Sequence, residues 1–137
     1  MRILLVALAL GATACAETPK EAATRAASAD KTRAALDREL AGLVPGAPQS
    51  CLETFQRRAG GVKAFGETLV FQGPGRTRYV TVAAGCERVG DNDYLVTQTP
   101  STRLCRGDIG LAINRTAQFQ NGGCSMGDFT PYTLPSR

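Results

Sequence analysis

The stretch Glu67-Thr68-Leu69-Val70-Phe71-Gln72, interrupted by Gly73-Pro74-Gly75 and resumed as Arg76-Thr77-Arg78-Tyr79-Val80-Thr81-Val82-Ala83, decides the fold. β-Branched and aromatic residues dominate the second arm, and the Gly-Pro-Gly break between the two reads as a hairpin. Downstream, Asp91-Asn92-Asp93 predicts a solvated turn ahead of a strand at Tyr94-Leu95-Val96-Thr97, which Pro100 ends. Asp108-Ile109-Gly110-Leu111-Ala112-Ile113 supplies a fourth strand, and Phe129-Thr130 a short edge strand before Pro131. Four to six short strands with glycine-rich turns predict a mainly β domain over residues 51–137, a small antiparallel barrel or sandwich.

Four of the five cysteines, Cys51, Cys86, Cys105 and Cys124, fall in that domain. They contain no C-x-x-C, and the chain holds no histidine, which removes the usual zinc ligands and the Ser-His and Cys-His couples. An even set in an exported chain predicts two structural disulfides. Spacing leaves three pairings open. The expected one joins Cys86 to Cys105, stapling neighbouring strand ends, and Cys51 to Cys124, tying the start of the domain to its end.

The fifth cysteine stands in a targeting segment. Arg2 and the apolar run Ile3–Leu10 form a signal peptide over residues 1–14, too short to span a bilayer as a helix. Ala12-Thr13-Ala14-Cys15 resembles a bacterial lipobox, with Ala12 where a large aliphatic residue is usual. Lipidation of Cys15 would anchor the chain to a membrane; cleavage after Ala14 or Ala16 would release it. Ala16, rather than an aspartate, after Cys15 points to the outer membrane. Residues 15–50 then carry the anchor and an alanine- and charge-rich spacer. It is neutral overall and partly helical, with Pro19 in a first turn, Asp30 capping a second helical segment, and Leu36, Leu40 and Leu43 on one stripe. The stripe is read either as spacer or as a surface docking on a partner or on the domain's own sheet.

Charge narrows the partners. The domain carries ten basic residues, nine of them arginine, against seven acidic ones. Arginine forks suit carboxylates, phosphates and sugar acids, so an anionic envelope glycan or a protein partner fits, whereas an excess this small in an exported chain does not suit nucleic acid. Arg103, Arg106 and Asp108 cluster about Cys105 as the candidate binding surface. No catalytic, cofactor or metal residue is assigned. Asp91-x-Asp93 lacks the glycine and distal glutamate of a calcium loop, and nothing pairs Glu53, Glu67, Glu87, Asp108 or Asp128 with one another.

The order of elements also carries a resemblance. Gly85-Cys86, then Ser101-x-Arg103-Leu104-Cys105-x-x-Asp108-Ile109, then Gly123-Cys124-Ser125-Met126-Gly127-x-Phe129-x-Pro131-Tyr132 resembles a family of small exported bacterial proteins classed as a domain of unknown function. The likeness implies an exported, often lipoprotein-like, cysteine-paired β domain and brings no activity. Three functional readings follow: a non-enzymatic envelope module, an inhibitor-type protein presenting a rigid loop to a hydrolase, and a carboxylate-based hydrolase. A contiguous Arg103/Arg106/Arg115 surface would favour the first, a protruding loop near Cys105 the second, and a cleft with two close carboxylates the third.

Overall fold

A computed structural model describes residues 18–57 and 61–136, so Cys15 and the signal segment lie outside the described residues. The chain order is α1 (Pro19–Glu39), β1 (Val44–Pro45), β2 (Cys51–Leu52), β3 (Val62–Phe65), β4 (Thr68–Gln72), β5 (Arg78–Val82), β6 (Asp93–Gln98), β7 (Leu104–Cys105), β8 (Ile109–Asn114), β9 (Gln120–Ser125) and β10 (Thr130–Thr133). These strands form three antiparallel sheets, ordered β1-β10-β5-β4-β3, β6-β8-β9 and β2-β7. None closes on itself, so the fold is mainly β and sandwich-like.

The Gly73–Gly75 hairpin forms as expected. Gly73 N–H donates to the Thr77 carbonyl and Thr77 N–H to that of Pro74, holding β4 against β5 in register from Thr68↔Val82 to Gln72↔Arg78. Leu69 and Phe71 face one way and join a core drawn from all three sheets: Tyr79, Leu52 and Leu104, Ala112 and Cys124, with Met126 and Phe129. Phe71 meets Phe129 edge to face at 6.0 Å between ring centres. The last strand departs from the expected short edge before Pro131. β10 runs through Pro131 and is interior, because Gly46 N–H reaches the Pro131 carbonyl and β1 covers its far side. Strand pairing thus already begins at Val44, within the segment read as spacer.

The helix is one continuous element rather than two segments, since no glycine or proline interrupts Lys20–Glu39 and Asp30 sits mid-helix. Thr18 caps it. Its hydroxyl accepts from Glu21 N–H (3.3 Å) while Glu21 Oε2 takes the Thr18 N–H (2.9 Å), a reciprocal capping box ahead of Pro19. From Thr18 to Lys31 every residue is exposed. The C-terminal half lies against β3, with Leu36 and Leu40 half-buried on the domain's own sheet and Glu39 paired to Arg78 (2.9 Å).

The Thr18 hydroxyl holds the Glu21 carboxyl below its ordinary value, with the Thr18 N–H adding to the effect. A lowered folded-state value stabilises the helix start above the ordinary carboxylate range and is lost as pH falls through the lowered value. Far-UV circular dichroism is therefore expected to show helix loss in acid, and Glu21→Gln to flatten that dependence. An unchanged acid profile in the variant would refute the assignment.

The disulfides correct the expected pairing. Cys51 bonds Cys105, and Cys86 bonds Cys124. Cys86–Cys105 fails because β7 is not a neighbour of the Cys86 turn: it pairs with β2, which places Cys105 directly opposite Cys51. Cys51–Cys124 fails because the β8–β9 register sets Cys124 against Gly110 on the core side. There a side chain at Gly110 would press on the Cys124 sulfur (3.0 Å), and the space admits Cys86 instead. Gly85 permits the approach. Its φ is +101°, and a Cβ there would collide with the Gly123 carbonyl.

Candidate functional site

The strand pair β2–β7 with its disulfide forms one pole of the molecule, and two of the three residues expected to bind lie there as ion-paired side chains. Arg103 Nη1 stands 3.5 Å from Glu53 Oε1, and Arg106 Nη1 3.2 Å from Asp128 Oδ2. Both pairs are exposed, so each contributes under about 1 kcal/mol. Asp108 pairs with neither arginine. Its Oδ2 accepts the Cys105 N–H at 2.7 Å, closing the turn that leads into β8. Arg115 sits beyond the far end of β8, about 17 Å of strand away. The arginines therefore do not form one contiguous surface.

What this pole does present is a loop. Immediately after β2, Glu53–Arg57 turns back on itself, with Gln56 and Arg57 N–H groups donating to the Glu53 carbonyl. Gln56 fastens it from below: Oε1 accepts from Glu53 N–H (2.7 Å) and Gln49 Nε2 (3.3 Å), and Nε2 donates to the buried Tyr79 hydroxyl (3.2 Å). Thr54 Oγ1 donates across to the Thr102 carbonyl (2.8 Å), and the disulfide closes the base. At the tip of this fixed frame Phe55 is 70% exposed, the most exposed large apolar side chain among the described residues. Beside it, Arg57 holds its Nε out of water without a hydrogen-bond partner among the described residues. Local sequence gives no sign of Phe55, because a single aromatic in Thr-Phe-Gln has no periodicity; its place four residues after the first domain cysteine is the available signal.

A second cluster is built around a buried carboxylate. Asp93, read from sequence as part of a solvated turn, is completely buried. Its Oδ1 and Oδ2 accept from Asn114 Nδ2 (3.4 Å) and Asn121 Nδ2 (3.0 Å), and Arg88 Nε lies 3.8 Å from Oδ2. Local sequence carries only the Asp-x-Asp turn signal; burial depends on Asn114 and Asn121, which arrive from β8 and β9. This carboxylate joins the Val89–Asp93 turn to the three-stranded sheet, and its acceptors are spent on doing so.

Of the other carboxylates named from sequence, Glu67 is exposed with no side-chain partner among the described residues, and the remaining four are occupied. Glu53 and Asp128 hold arginines, Asp108 holds an amide, and Glu87 Oε1 accepts the Gly85 N–H at 2.7 Å. Among the described residues no group of three or more cysteine, aspartate or glutamate side chains is placed to hold a metal. A broad groove of about 1380 Å³ runs between the exposed half of α1 and the β3–β4 turn, lined by Arg33, Leu36, Phe65 and Thr68 among others. It lies against a different sheet from the Phe55 loop. No helix among the described residues is long and apolar enough to cross a membrane. Two disulfides match an oxidising, exported setting. No family model matches the chain, and neither a curated protein nor a solved structure matches it.

Proposed function

We propose that this protein is a non-enzymatic binding module of the cell envelope, lipid-anchored at Cys15 on the periplasmic side of the outer membrane, which engages a protein partner through the Phe55 loop. The observation that carries this reading is the largely exposed phenylalanine on a loop whose backbone is already fixed by a disulfide and side-chain hydrogen bonds. An aromatic anchor held in its bound geometry loses little conformational freedom on docking, which is where protein interfaces gain most. An anionic glycan is the weaker fit, because Arg103 and Arg106 already face Glu53 and Asp128. The exposed half of α1, about 20 Å long, suits a stalk between anchor and domain.

The same rigid loop supports a second reading, an inhibitor that blocks an envelope hydrolase. Capture from native envelopes with the protein and with Phe55→Ala tests both. Phe55→Ala is expected to shift unfolding by less than about 0.5 kcal/mol, because the ring is exposed. It is also expected to lose at least about tenfold in partner retention, as an interface anchor would. Equal retention by both forms overturns the proposal; a captured hydrolase whose activity the protein suppresses selects the inhibitor.

A further inference from the structure

A sheet edge is a template for another strand, and folded proteins blunt such edges by shortness, proline, charge, bulges or cover. Among the described residues every sheet edge but one is blunted. β1 is two residues long and contains Pro45. β3 is covered, as Ala64 N–H donates to the Val89 carbonyl (2.8 Å) and α1 lies alongside. β9 is bulged against β8 and closed by the Gly85 turn. β2 and β7 pair only with each other, over two residues. β6 is the exception: six residues in unbroken register with β8, with no proline, no lysine or arginine and no bulge.

Its free groups can be assigned. Arg115 N–H donates to the Asn92 carbonyl (2.9 Å), so Asp93↔Asn114 is a pair whose own N–H and C=O turn away from one another. Those of Asp93 duly go elsewhere, to Arg88 and Gly90. By alternation, Leu95 and Thr97 direct N–H and C=O to the open edge, where they have no partner among the described residues. The side chains on the outer face, Tyr94, Val96 and Gln98, are uncharged, as are Ile109, Leu111 and Ile113 beside them.

We propose that a second copy of this chain lays its own β6 antiparallel on this edge, across a two-fold axis passing by Val96, and joins the two three-stranded sheets into one. With Val96 opposite Val96 of the second copy, Leu95 of each chain meets Thr97 of the other. All the free donors and acceptors are then used in reciprocal pairs. Self-complementarity points to a copy: the free groups of Leu95 and Thr97 stand symmetrically about Val96, and a two-fold axis there brings identical side chains together without opposing like charges on β6.

Sedimentation velocity of the purified protein at micromolar concentrations tests this, with a dimer expected. Thr97→Pro deletes a donor on the open edge and leaves the β8 ladder intact, and is expected to weaken the dimer at least about tenfold. Val96→Asp faces two carboxylates across the axis from an exposed position, with the same expected result should the proline variant fail to fold. Val96→Cys is expected to give a covalent dimer through the introduced thiol, since directly opposed positions of this kind lie about 4.5 Å apart at Cα, within disulfide reach. A monomer throughout the range overturns the proposal and leaves the edge to a strand of a different chain. A dimer that both Thr97→Pro and Val96→Asp leave intact overturns it as well.

Discussion

Replacing Cys86 and Cys124 together by alanine is expected to lower the free energy of unfolding by about 4 to 6 kcal/mol, the larger part of what a domain of this size holds. Closing the 38-residue separation contributes about 4 kcal/mol on the chain-entropy model. Packing adds the rest. Cys86 is fully buried and Cys124 nearly so, both within the core beside Met126 and Leu95, so two alanines leave a void that the glycine-lined surroundings cannot refill. The same double replacement at Cys51 and Cys105 releases a slightly wider closure of 54 residues and costs about 4 kcal/mol. Those sulfurs are only half-buried, so little packing is lost with them. Urea unfolding of the two variants side by side checks the order. Burial outweighs closure length here, and a larger loss for the Cys51/Cys105 variant would show that it does not.

Asp93→Ala is expected to cost about 2 to 3 kcal/mol. The buried carboxylate is the common acceptor of two half-buried asparagine amides and faces the exposed Arg88, and its removal leaves those donors without their partner and a void at a closed position. Asp93→Asn keeps the shape but turns one oxygen into a donor facing an amide donor, so it should recover only part of the loss, leaving about 1 to 2 kcal/mol. Asn121→Ala removes a single donor and should cost less than either. Thermal or urea unfolding of this series reads the ranking. Wild-type stability in Asp93→Asn would mean that filling the volume suffices and that the hydrogen-bond directions are unimportant at this position.

Much of the fold was legible because its signals are local. The Gly73-Pro74-Gly75 break, the β-branched run from Tyr79 to Val82, the Tyr94–Thr97 and Ile109–Ile113 strands and the proline at the helix start all act on their own neighbours. β9 was not legible, because Gln-Asn-Gly-Gly-Cys-Ser has turn composition. It is a strand because Gly122 lets the Gly85 turn come against its backbone, a requirement set by tertiary contact. Disulfide partners escaped for the same reason: Cys51 and Cys105 are joined by a strand pairing of two residues, too short to leave a pattern. At the candidate site, the ion-pairing capacity of Arg103 and Arg106 could be read, but not that Glu53 and Asp128 would occupy them. Asp108 was read as a surface ligand and is instead a turn-closing acceptor, a role that depends on where the Cys105 amide points.

The two disulfides interleave: each has one cysteine inside the loop closed by the other. As a matter of connectivity, a single backbone cut anywhere between Cys51 and Cys124 leaves one covalent molecule. Two cuts, one between Cys51 and Cys86 and one between Cys105 and Cys124, still leave all three pieces tied through the middle one. A nested arrangement, Cys86 with Cys105 inside Cys51 with Cys124, would shed that middle piece under the same two cuts. In a compartment where proteases work outside the reach of cellular repair, the crossed pattern allows this chain to be nicked on both flanks and keep its core.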